Sequence, residues 1–172
     1  MTISLYDISV PVYRQFLRSL LGVIDKGEKH CAEKGVDPAS LLAARLIDDM
    51  QPFTFQIMQS INHSAGALAT VRGQKRERPG ALDSFAACKQ AVELALADVD
   101  AIKPADLDAI ESSTVELNFP GRELKFTAQG YLLSYAMPQF YFHAITAYDL
   151  LRHKGVAIGK RDFLGRIQLK EA

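Results

Sequence analysis

Asp83-Ser84-Phe85-Ala86-Ala87-Cys88-Lys89-Gln90-Ala91-Val92-Glu93-Leu94-Ala95-Leu96-Ala97-Asp98-Val99-Asp100-Ala101-Ile102 is the stretch on which the fold turns. Its apolar residues Phe85, Cys88, Val92, Ala95, Leu96, Val99 and Ile102 recur at helical spacings, so one face of a long helix is buried. Asp83 can cap its start, and Pro104 ends or restarts it, leaving Ala105 to Ile110 for one short extra turn. A helix with one apolar stripe needs other elements to cover it.

Upstream, Arg72-Gly73-Gln74-Lys75-Arg76-Glu77-Arg78-Pro79-Gly80 is charged, ends in Pro-Gly and reads as a surface loop. Before it, Phe53, Ile57, Ile61, Ala65 and Leu68 mark another helical face. Asp37-Pro38 reads as a helix start, with Leu41, Leu42, Leu46 and Ile47 carried before Pro52 interrupts. A first helix spans roughly Ile3 to Glu33, beginning near Pro11 or kinked there, and stops at Gly35. Its face of Ile8, Val12, Phe16, Leu20 and Val23, widened by Tyr13, Leu17, Leu21 and Ile24, suits a helix touching two neighbours.

Downstream the period changes. Thr114 to Asn118 and Glu123 to Phe126 alternate apolar with polar residues around Pro120-Gly121, which signals a short β-hairpin. A last long helix runs from about Ala128 to His153, broken by Pro138, and a tail from Gly159 to Gly165 folds back. Four long helical runs and one hairpin give an all-α, single-domain four-helix bundle over residues 1–172.

Composition narrows the function classes. The 172 residues carry 20 basic and 20 acidic side chains, so there is no basic surplus to displace counterions from a nucleic-acid backbone. No apolar run is long enough to span a bilayer, and the first residues lack the layout of a secretory signal. Cys31 and Cys88 have no metal or redox spacing and read as apolar fillers of a reduced, cytoplasmic protein. No HExxH, GxSxG, phosphate-binding loop or dinucleotide fingerprint occurs.

Candidate chemistry gathers on two helices. Gln56, Gln59 and His63 share a polar stripe, which is either a solvated face or the wall of a cleft. His143 shares a face with Phe140, Ala147, Leu150 and Leu151, so it points inward. It is then a hydrogen-bonded core histidine, a metal ligand or a proton-transfer group. Tyr131, Tyr135, Tyr141 and Tyr148 add hydroxyls to the same helix. Asp48-Asp49 offers carboxylates before Pro52, or else a solvated helix end.

The run Phe142-His143-Ala144-Ile145-Thr146-Ala147-Tyr148-Asp149-Leu150-Leu151-Arg152, continued through Gly165, resembles the last helix of a family of uncharacterised bacterial proteins. Asp49 to Phe53 and Gln56 to His63 resemble its second helix. That family is similar to the DinB-like (YfiT-like) superfamily, which implies an up-down-down-up bundle and a homodimer. It further implies a metal site of three histidines, one on the second helix and two on the last, four residues apart, with thiol-transferase or hydrolase-type activity. Only His63 and His143 carry over, because Ala147 stands four residues after His143. His153 lies about 280° round the helix and cannot replace it. The triad is incomplete, so no tightly bound zinc or nickel is expected.

Two functions stay open. One is a small-molecule pocket between the helices, lined by Gln56, His63, Tyr135, His143 and Tyr148, in a degenerate metal-dependent enzyme of this superfamily. The other is a noncatalytic dimeric binding or structural protein that has lost the metal site.

Overall fold

Ser4 opens the first helix: its hydroxyl accepts the Asp7 amide, while the Asp7 carboxylate accepts the Ser4 amide. Helix α1 (Leu5–Lys34) therefore starts ahead of Pro11 and runs through it, where the sequence suggested a start or a kink. Pro11 removes one helical hydrogen bond, and the capping box with the burial of Leu5 and Val10 offsets it. The computed structural model describes residues 3–169.

Asp37 caps α2 (Pro38–Leu42), accepting the Ala39 amide at 3.0 Å. This helix stops at Leu42 and does not continue through Ile47. The Ala44 carbonyl instead accepts the Phe53 amide at 2.9 Å, and the Arg45 guanidinium donates to the Met50 carbonyl. These bonds close an irregular turn that leaves Leu46 and Ile47 exposed. Asp48 and Asp49 lie in that exposed turn, solvated as one reading had them but beyond the end of α2 and not at a helix end.

Helix α3 (Phe53–Ile61), a π-turn (Asn62–Gly66) and α4 (Ala67–Val71) follow as one continuous rod. Phe53, Ile57, Ile61, Ala65 and Leu68 are all buried along it, as their spacing predicts. Helix α5 (Phe85–Asp100) is capped by Ser84, whose hydroxyl accepts the Ala87 amide at 3.1 Å. Ser84, in extended backbone, is the cap in place of the Asp83 that the sequence suggested. A short α6 (Ala105–Asp108) leads to strands β1 (Thr114–Phe119) and β2 (Arg122–Thr127), antiparallel with Phe119 opposite Arg122. Pro120 and Gly121 (φ 74°) occupy the turn positions that favour those two residues in a type II turn.

The last rod comprises α7 (Ala128–Tyr131), a second π-turn (Leu132–Ala136) and α8 (Met137–His153). Pro138 does not break it. A proline in a regular helix would press on the Ser134 carbonyl and leave it without a donor. The preceding turn widens instead, with the Met137 amide donating to the Leu132 carbonyl. Each π-turn carries a serine at its middle, Ser64 and Ser134, whose hydroxyl donates to the carbonyl four residues back.

Pairwise contacts fix the directions of the rods. Arg14 near the start of α1 pairs with Asp100 at the end of α5, while Gly27 lies against Phe85 at the start of α5. These two helices are antiparallel. Tyr13 packs edge-on against Phe140, and Gly27 also meets Leu151, so α1 and α8 run parallel. Phe53 meets Phe85, both first residues, so α3 and α5 are parallel too. The order is up-down-down-up. No helix among the described residues is long and apolar enough to cross a membrane.

Helix α9 (Lys160–Leu164) is the folded-back tail, and it covers the remaining face of α1. Phe163 packs on Phe16, Lys26 pairs with Asp162 at 2.6 Å, and the Gln15 amide donates to the Leu164 carbonyl. The wide apolar arc of α1 is thus covered within the chain. Ser19 is 7% exposed and its hydroxyl faces the Asp162 and Phe163 carbonyls. A Cβ at Gly165 (φ 59°) would lie 3.3 Å from the Ser19 side chain, so the tail backbone packs closely there. A Ser19→Ala variant should therefore lose about 1–2 kcal/mol and expose the tail to limited proteolysis. Unchanged stability and an uncut tail would contradict that docking.

Candidate functional site

Along α3, Ile57 and Ile61 are buried in the core, while Phe55, Gln56 and Gln59 lie on the side towards α8. Gln56 sits on that inner wall and is only 2% exposed. Its side-chain amide nitrogen donates to the Gln51 carbonyl at 2.9 Å, which turns its oxygen towards α8. There the oxygen lies 2.7 Å from Nδ1 of His143. An amide oxygen can only accept, so Nδ1 of His143 carries the hydrogen. Nε2 is then the lone-pair nitrogen of a neutral ring.

His63, in the first π-turn, lies beside it. The two imidazole centroids are 5.8 Å apart and their planes agree within 3°. Burial pushes the His63 imidazole down to about 4, with the neighbouring His143 adding to the shift. Burial alone pushes His143 down to about 4. Both rings are accordingly neutral at pH 7.

From His63 a line of rings continues towards the hairpin. Tyr135, in the second π-turn, lies 5.9 Å from His63, and Tyr131 and Phe126 each lie 5.7 Å from Tyr135. On the other side Phe55 meets His143 edge-on at 6.0 Å. Phe55, His63, Tyr131, Tyr135 and His143 line an open cleft of about 540 Å³, to which Gln59, Asn62 and Gln139 add amides and Arg78 adds a cation. Leu117 and Phe119 of β1 form its outer lip. The size falls in the range of small-molecule sites.

Four of the sequence candidates, Gln56, His63, Tyr135 and His143, therefore come together. Tyr148 does not. Five residues on from His143, it points round the helix, and its ring packs against Phe163 of α9. Tyr141 likewise packs on Phe16. The sequence reading missed Phe55, Asn62, Arg78, Leu117, Phe119 and Gln139. Only Phe119, an aromatic beside a Pro-Gly turn, carried a signal that could have found it.

A three-histidine metal site does not fit these residues. The third position is Ala147, whose methyl is fully buried and has no donor atom. Among the described residues, no group of three or more His, Cys, Asp and Glu side chains could hold an ion.

Comparison with known proteins gives the fold a lineage. A family model described as a domain of unknown function, DUF1993, matches residues 5–164. The crystal structure of a DinB family member protein from Shewanella denitrificans is similar over 98% of this chain and 96% of that one. It has 29% sequence identity and a TM-score of 0.86. No curated protein matches the chain.

Proposed function

The chain belongs to the DUF1993 family, with a DinB-like fold, and from that premise we propose that it binds a small molecule in the α3–α8 cleft, against the neutral His63–His143 pair. The observation that carries the reading is the relay from the Gln51 carbonyl through the Gln56 amide to Nδ1 of His143. Burying an amide and an imidazole costs stability unless every polar atom finds a partner. The relay satisfies the inner atoms and leaves one imidazole nitrogen as an acceptor.

A general base works best with a pKa near the operating pH, and a ring held near 4 is a weak base at neutral pH. The pair therefore suits hydrogen bonding to a ligand better than proton abstraction. Together with Ala147 in place of a third histidine, this favours binding over the metal-dependent chemistry that the superfamily resemblance implies. Pairing of two copies remains part of the proposal on that resemblance alone.

Histidine-ring NMR tests the reading. His143 is expected as the Nδ1–H tautomer, and the His63 and His143 ring signals should move together when members of a fragment set bind. A set whose binders leave both rings unmoved would overturn it.

A further inference from the structure

The charges around the cleft are lopsided. None of the residues lining it is Asp or Glu, and both imidazoles are neutral, so Arg78 is its one formal charge. Two residues away, Arg76 is held by Asp98 at 2.7 Å. Arg78, on the same loop, makes no ion pair and no side-chain hydrogen bond among the described residues. The rest of the lining is rich in rings: Phe55, Phe119, Tyr131 and Tyr135. The amides of Gln59, Asn62 and Gln139 lie among them.

We infer that the ligand is an amphipathic organic anion: a flat aromatic body carrying one carboxylate, with the acid group on Arg78 and the body between the rings. This rests on the proposed reading of the cleft as a binding site. The guanidinium fork matches a carboxylate with two parallel hydrogen bonds. A cationic or zwitterionic ligand would meet no countercharge in the cleft for its ammonium group. Flat rings have edges and faces to pack on, as the observed edge-on ring pairs do. Phe119 of the hairpin also lines the cleft and gives the body a further ring to pack on.

Naphthalene-2-carboxylate and the neutral 2-naphthalenemethanol separate the two ideas. Both are titrated into the whole protein, with affinity read by calorimetry and location by the His63 and His143 ring signals. The carboxylate is expected to bind roughly tenfold more tightly than the alcohol, and Arg78→Gln should remove that difference while leaving the alcohol's affinity alone. Arg78 is exposed on a loop, so the variant keeps its fold. Equal binding of the two probes, with both rings shifting, overturns the anion preference and leaves the cleft as a site. Failure of both probes to shift either ring overturns the cleft as a site for such bodies, and the inference with it.

Discussion

His143→Ala should unfold about 3 kcal/mol more easily than the parent protein, an unusually large cost for a residue at the edge of an open cleft. Two losses add. The ring's packing against Phe55 and Phe142 disappears. The Gln56 oxygen, buried on the inner wall, loses its donor, and an unpaired buried acceptor costs about 1–3 kcal/mol. His143→Phe separates the two, because it refills the volume and still strands the oxygen. Gln56→Ala should cost a similar amount by stranding Nδ1–H. The double variant should fall short of the summed single losses by about 1–2 kcal/mol, since the second change breaks nothing left to break. Urea unfolding at constant slope measures all four. Strict additivity would mean that the 2.7 Å contact is incidental.

Mild acid should destabilise the protein before its carboxylates titrate. Both imidazoles have folded values near 4 against an ordinary value of 6.5. Between those limits the unfolded chain binds protons that the folded chain refuses. Stability therefore rises with pH across that window and is lost as pH falls from about 6.5 towards 4. Taken at face value the two shifts are large. The cleft opens to water, so roughly 3 kcal/mol for the pair is the better expectation. Asp162 acts with the same sign at lower pH: Lys26 holds its carboxyl low, so its contribution persists until pH falls below the usual carboxylate range. A His63→Gln, His143→Gln double variant should flatten the curve between pH 7 and pH 4.5, values chosen to bracket that window. A parent curve already flat there would refute the burial of the neutral pair.

The bundle was readable because its core obeys a simple period. The α5 stripe and the Phe53–Leu68 face are buried where spacing put them, and the hairpin turns at the predicted Pro120-Gly121. What escaped was set by partners distant in the chain. The Gln56–His63 stripe looks solvated on its own helix; it faces a cleft because α8 lies across from it. Tyr148 shares a helix with His143 but meets α9, a neighbour that periodicity cannot announce. Arg78 reads as one more cation in a charged loop until the fold lays that loop beside the rings. The early stop of α2 depends on the Ala44–Phe53 bond, made by backbone atoms that any residue would supply. Pro138 misled for another reason: the usual rule assumes four-residue spacing, and the chain steps aside into a wider turn just before it.

That wider turn occurs twice, at Asn62–Gly66 and at Leu132–Ala136, with His63 in one and Tyr135 in the other. A π-turn is an α-helix holding one surplus residue. Deleting that residue lets the rod relax to regular winding and turns everything on one side of it by about 100°. In an alignment of relatives, the mark of a lost site would then be a one-position gap. With His63 and Tyr135 still spelled out, such a gap inside either five-residue segment would leave one of them facing away from its partner. Divergence within this lineage can thus proceed by indels as readily as by replacing a histidine, and a count of retained side chains would not detect it.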